Sequence, residues 1–249
     1  MAVDLKSYGR SIKAFLKDAL IIVGLYLGFT TVGYAAFHIP SGSMEPTLEV
    51  GDRVFVAKFP YGYNRYTVPF DPEFLATERT FEGAPERGDI VVFTLPYLED
   101  TDFIKRVIGL PGDEIELRLG RLYINGKLVP RTLIREFSYT SYRGYTVRVA
   151  EYDETLPNGV VHRIYERSDR TRGDTFDPYI VPDDHYFMMG DNRDASGDSR
   201  ELARMGPVHK QYLVGRAEVT SFSFYDCDQG KDVTCPLGVP VGRFFNVLN

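Results

Sequence analysis

From Ala19 to Phe37 the chain reads ALIIVGLYLGFTTVGYAAF, a run without a single charged residue, and this run restricts the possible folds more than any other feature. At about 1.5 Å rise per residue, a helix of that length matches a hydrocarbon layer of about 30 Å. One bilayer crossing over 19–37 is expected. Ahead of it, Lys6, Arg10, Lys13 and Lys17 outnumber Asp4 and Asp18, and such a positive excess retains the adjoining end in the cytoplasm. Residues 1–18 are therefore expected inside and residues 38–249 outside. Gly33-Tyr34-Ala35 offers the small residues of a cleavable secretory signal, although the apolar core of such a signal is only about 7–15 residues long. Gly24 and Gly28 also form a G-x-x-x-G, a pattern that can pack two spanning helices together.

The exterior part carries the chain's acidity. With 29 Lys+Arg against 35 Asp+Glu, the net charge is −6, and with no basic stripe a nucleic-acid partner is disfavoured. Two cysteines are too few for a disulfide-stapled miniprotein or a multi-Cys zinc module. Cys227 and Cys235 close the short loop CDQGKDVTC, and in an oxidising compartment they are expected to pair. Past His38 no long 3.6-residue periodicity appears. Short apolar runs are closed by Gly-Asp, Asn-Gly or Pro-Gly instead, which predicts a mainly β, antiparallel domain. The predicted strands are 53–59, 89–95, 103–109, 114–119 with 121–124, 145–149 with 160–165, 185–189 and 214–224. Asn125-Gly126 and Pro157-Asn158-Gly159 are the clearest hairpin turns, since Asn and Gly tolerate positive φ. The segment 131–182, polar and rich in Tyr and Arg, reads as an inserted second lobe on a core of about 38–130 and 183–225.

Three clusters carry chemistry. Ile39-Pro40-Ser41-Gly42-Ser43-Met44-Glu45-Pro46 sets two serines around a glycine, between stiffening prolines and close to the expected membrane surface. A serine nucleophile needs a base. None of His38, His162, His185 and His209 stands in a motif with an Asp, whereas Lys105 lies in the strand-like Phe103-Ile104-Lys105-Arg106-Val107-Ile108. Alternation sends Phe103, Lys105 and Val107 to one face, so Lys105 sits among apolar neighbours, and such surroundings lower an amine's pKa. The third cluster, Gly190-Asp191-Asn192-Arg193-Asp194-Ala195-Ser196-Gly197-Asp198-Ser199-Arg200, lacks the closing Glu of a calcium loop.

Taken together, PSGSMEPTL, Gly51–Gly62, RGDIVVF, IKRVIGLPGD and MGDNRDASGDSR occur in the order of the same blocks in bacterial type I signal peptidases. The chain resembles that family, the Ser-Lys membrane endopeptidases that remove signal peptides from secretory preproteins. The resemblance implies Ser43 as nucleophile and Lys105 as general base. It also implies Ser41 beside the Ser43 N–H in the oxyanion hole and Ser196 hydrogen-bonded to the lysine. Arg106 is expected to pair with Asp191 and Asp198 with Arg200, holding the loop that carries Ser196. Phe37, Ile39, Phe103 and Ile104 are implied to line pockets for Ala-like substrate residues. A two-lobed catalytic domain is implied on the outer face of the cytoplasmic membrane, in contact with lipid and without metal or cofactor. Phe59, Tyr61, Tyr63, Tyr66, Phe70 and Phe74 form a candidate lipid-docking segment. Three features depart from the family: Glu45 at an often apolar position, a single span where some members have two, and the cysteine pair outside the shared blocks. A tethered binding protein and a self-cleaving Ser-Lys regulator are the competing readings; the second would carry a DNA-binding domain that this sequence lacks.

Overall fold

A computed structural model describes residues 5–68, 72, 74–95, 97–98, 101–225, 227–231 and 238–248. The N-terminal helix α1 (Leu5–Gly28) continues through a π-helical turn at Phe29–Gly33. Its stretch Ala14–Gly33 is long and apolar enough to cross a membrane. The expected span over 19–37 is thus not helical to its end. Tyr34–His38 forms strand β1, which pairs antiparallel with β2 (Asp52–Ala57), Tyr34 opposite Ala57 and His38 opposite Arg53. The helix stops at Gly33 because the next residues satisfy their backbone groups on β2, and polar groups of the β domain take over the helix's last carbonyls. Lys58 donates its backbone N–H to Gly33 O and its Nζ to Thr30 O, while Tyr63 Oη donates to Val32 O at 2.6 Å. A cation at the negative end of a helix is favourable electrostatically as well.

The remaining strands are β3 (Ile90–Leu95), β4 (Thr101–Gly109), β5 (Glu114–Arg118), β6 (Arg121–Ile124), β7 (Lys127–Leu128), β8 (Arg131–Thr140), β9 (Thr146–Thr155), β10 (Val161–Glu166), β11 (Phe176–Ile180), β12 (His185–Met189), β13 (Val208–His209), β14 (Leu213–Ser223) and β15 (Asn246–Val247). The principal sheet runs β1-β2-β14-β3-β4-β12-β13, with β15 added to β14. Strand β3 reads as an unbroken apolar run because both of its faces are covered. Val91, Phe93 and Leu95 join one cluster with Val107 and Met188, while Ile90 and Val92 join another with Ile39, Met44 and Leu48. The fold is mainly β, as the sequence predicts.

The 131–182 segment divides. Strands β10-β9-β8 form a separate three-stranded sheet, but β11 returns to pair with β5 in a four-stranded sheet, β11-β5-β6-β7. The core also extends past residue 225, since β15 pairs with β14. Asn125 and Gly126 both take positive φ, 54° and 71°, in the β6–β7 turn, as expected of a tight hairpin.

The aromatic segment behaves unevenly. Tyr61 is buried and donates to Asp89 at 2.7 Å, Tyr63 caps the helix, and Tyr66 packs edge-on against Tyr212. Only Phe59 and Phe74 of the described members are exposed; Phe70 lies outside the described residues.

Candidate active site

Ser43 sits in a single 3₁₀ turn, Gly42–Met44. Ile39, Met44 and Leu48 fix this turn from below by burying their side chains, each worth about 1.5–3 kcal/mol. Leu48 N–H closes back on Met44 O at 2.9 Å. A Cβ on Gly42 would stand 2.6 Å from Glu45 Oε1, so a side chain there would have to displace that carboxylate. The backbone is tied to the third cluster, where Asn192 N–H donates to Ser43 O and Asn192 Nδ2 to Gly42 O.

Lys105 arrives from β4. Its Nζ lies 2.9 Å from Ser43 Oγ and donates at 2.9 Å to Ile104 O. The side chain is only 4% exposed. Burial pulls its pKa down to about 8, against the opposing pull of Asp198 and Asp191. An amine with that affinity for protons is about one-tenth neutral at pH 7 and about half neutral at pH 8, where a free lysine is almost wholly charged.

The structure departs from the expectation for Ser196. The amine's described partners are Ser43 Oγ and Ile104 O, not Ser196 Oγ. Ser196 Oγ lies against the α-carbon of Gly190 instead, and any Cβ on Gly190 would collide with it and with Ser43 O. The glycine is needed here for close approach. Ser41 is extended and exposed on the wall of the cleft.

Arg106, fully buried on the face opposite Lys105, meets Asp191 through two bonds, Nε–Oδ1 3.0 Å and Nη2–Oδ2 2.8 Å, and donates Nη1 to Gly88 O. Arg200 clasps Asp198 at 2.8 Å, and Asp198 accepts from Gly190 N–H. Burial would raise both carboxyls, but Arg106 holds Asp191 far below the usual carboxylate range, and Arg200 lowers Asp198.

Several groups escaped the sequence reading. His162 lies between Glu154 (3.2 Å) and Asp191 (3.4 Å), and Arg193 binds Glu154 with both terminal nitrogens. Ser199 Oγ accepts Met188 N–H. Asn192, Arg193 and Ser199 stand inside the third sequence cluster, whereas Glu154 and His162 lie on β9 and β10, where no local pattern marks them.

Ser41, Ser43, Lys105, Phe103, Tyr139 and Asn192 help to line a cleft of about 450 Å³. Of the four residues expected to contact substrate, Phe103 reaches this cleft. Phe37, Ile39 and Ile104 pack in the cluster beneath the Ser43 turn, because strand alternation turns Ile104 away from Lys105 and because β1 feeds Phe37 and Ile39 under the loop. Among the described residues no three His, Cys, Asp or Glu side chains converge where a metal ion could be held.

The family model described as signal peptidase, peptidase S26, matches residues 12–222. Signal peptidase I of Rickettsia bellii (strain OSU 85-389) is 35% identical over 226 residues, covering 86% of this chain and 76% of that protein. Signal peptidase I of Rickettsia canadensis (strain McKiel) is 40% identical over 195 residues, covering 75% and 71%. A crystal structure of a signal peptidase I from Enterococcus faecalis V583 aligns at 26% identity and a TM-score of 0.32, over 53% of this chain and 96% of that one. Joined by a family match over most of the chain and by relatives of this similarity, the five ordered sequence blocks leave one conclusion: the chain belongs to the signal peptidase I family of peptidase S26 and is a signal-peptide-cleaving peptidase.

Proposed function

We propose that this peptidase cuts exported preproteins after small residues by a Ser43–Lys105 dyad, while anchored in the cytoplasmic membrane by α1 with its N-terminus inside. The observation that carries the dyad is the 2.9 Å approach of a buried, pKa-depressed Lys105 amine to Ser43 Oγ. Neutral Nζ takes the Ser43 proton as Oγ attacks the scissile carbonyl, and the resulting ammonium protonates the departing amine. Water then attacks the acyl-enzyme, with Nζ again as base. The Ser43 N–H and the Ser41 hydroxyl face the developing oxyanion, where a single donor is worth about 10²–10³ in rate. Arg106–Asp191 and Asp198–Arg200 brace the loop around the amine.

The substrate lies along the cleft as an extended segment, with Phe103 contacting a small side chain near the scissile bond. Strand β1 leads from the end of the apolar helix to the Ser43 turn, so the cut is made at the level where a signal peptide leaves the bilayer. Purified enzyme in detergent or vesicles, incubated with a preprotein, tests this reading. Ser43→Ala and Lys105→Arg are expected to fold and to lose cleavage; near-normal turnover by either variant would overturn the dyad.

A further inference from the structure

One departure from the family, Glu45, meets a lysine from between the two cysteines beneath the nucleophile. Glu45 is 2% exposed, and its carboxylate accepts from Tyr139 Oη at 2.7 Å and from Asn192 Nδ2 at 3.2 Å. Lys231 Nζ lies 3.0 Å from Glu45 Oε1 and 2.5 Å from Glu49 Oε2, 4.2 Å from the centre of the Tyr139 ring. The lysine side chain is 3% exposed. Lys231 stands midway in sequence between Cys227, which is disulfide-bonded, and Cys235, which lies outside the described residues. Lys231, which lies beyond the shared blocks, therefore brings a cation under the active site.

The consequence for the nucleophile is geometric. Asn192, which touches Glu45, also holds Gly42 O at 3.0 Å and Ser43 O at 3.1 Å. Glu45 itself packs against the Gly42 backbone. The Gly42–Ser43 backbone thus rests on a buried carboxylate, and a buried carboxylate keeps its place only when it is paired and hydrogen-bonded. Lys231 is the cation that pairs with it. Glu49, on the other side of the same ammonium, is pushed up to about 7 by burial, with Lys231 and Arg243 opposing and Glu45 adding to the rise.

We propose that Glu45 and Lys231 are a pair of positioning residues: the lysine holds the Glu45 carboxylate against Gly42 and, through Asn192, sets the Ser43 turn at attacking distance from Lys105. The proposal rests on the Ser43–Lys105 reading. It assigns the pair to the rate of the chemical step and not to substrate binding, because a misplacement of about 1 Å at reacting atoms costs on the order of 10²-fold in rate.

The test compares full-length wild type, Lys231→Met, Lys231→Arg and Glu45→Gln/Lys231→Met by kcat and KM for preprotein cleavage, and by hydrogen exchange of peptides covering 41–48. Lys231→Met is expected to lower kcat by about 10–100-fold with KM little changed, and to raise exchange at 41–48. Lys231→Arg should retain most of kcat. Both variants lose the lysine beside Glu49 alike, so their difference reports Glu45 alone: the double variant, which no longer buries an unpaired carboxylate at position 45, should recover at least about tenfold over Lys231→Met, as coupled partners do. Wild-type kcat in Lys231→Met, or a double variant no better than that single one, would overturn the pair. Hydrogen exchange distinguishes the two levels: if wild type cleaves no preprotein, the functional reading falls, while faster exchange at 41–48 in Lys231→Met still supports the positioning role and unchanged exchange removes it.

Discussion

At the scale of single residues, the catalytic reading turns on one proton. Lys105 titrates at about 8 because its ammonium is buried. The neutral amine accumulates as pH rises through that value, so the preprotein-cleavage rate should climb with an inflection about 8 instead of the ~10.4 of a free lysine. Rate measured from pH 6 to 10 checks this, and Lys105→Arg should be inactive throughout, since Arg keeps its charge up to about pH 12. Gly190 makes a second prediction. Its α-carbon faces Ser196 Oγ and Ser43 O too closely for a methyl group. Gly190→Ala should cost about 1–3 kcal/mol of stability by overpacking and should also displace the Ser43 backbone. Thermal unfolding and the cleavage rate together read the two effects, and a variant with unaltered rate and melting temperature would refute the close approach.

Among elements, the decisive joint is between the three-stranded sheet and the catalytic loop. Tyr165 N–H on β10 donates to Asp191 O, and Glu154 on β9 holds both Arg193 and His162. Burial alone would raise the Glu154 carboxyl, but Arg193 and His162 outweigh it and bring the pKa to about 2. A carboxyl whose folded pKa is depressed contributes stability at pH values above its unfolded pKa, about 4.3, and loses that contribution as pH falls towards 2. Acid titration of the unfolding midpoint should therefore steepen between about pH 4.3 and 2 in wild type and flatten in Glu154→Gln. At pH 7 the same variant should lose about 3–5 kcal/mol in denaturant unfolding, because Arg193 remains buried without its carboxylate. A loss below about 1 kcal/mol would mean that the joint does not depend on this pair.

For the whole molecule, the apolar N-terminal helix is joined to the β domain by hydrogen bonds at its end. Lys58 and Tyr63 hold the carbonyls at the end of the helix, and β1 continues directly into the principal sheet. This sets where a soluble fragment can begin. Deleting residues 1–33 keeps β1 and should yield a folded domain. Deleting residues 1–37 removes four of the five β1 residues, exposes β2 as an edge and uncovers the cluster that Phe37 covers. That second fragment should melt at a clearly lower temperature and aggregate more readily, as open edge strands do. Equal melting temperatures for the two fragments would show that β1 contributes no stability.

Much was legible in the sequence because it is local. The uncharged run of 19–37, the apolar strands around Lys105 and the Asn-Gly turn are each written in consecutive residues, and the five ordered blocks held Ser43, Lys105, Arg106, Asp191, Asp198 and Arg200. What the chain alone left undetermined involves residues far apart in sequence. The apolar run divides at Gly33 because β2 and Lys58 compete for the backbone that a longer helix would use, and hydropathy does not register a hydrogen-bond partner. Strand β8 is polar on most of its length and exposes alternate residues, so its pattern is faint until β9 is beside it. The resemblance implies Ile39 and Ile104 as pocket residues, and what the sequence does not show is that both pack against the cluster under the Ser43 turn, Ile39 buried and Ile104 partly exposed. Ser196 stands in the right block, but its hydroxyl packs against Gly190 and is not among the described partners of the amine. Glu154, His162 and Lys231 carry no local signature at all. The buried charges of Glu154 and Lys231 are stabilised only by partners that folding brings together, and that pairing energy exists only in the tertiary structure.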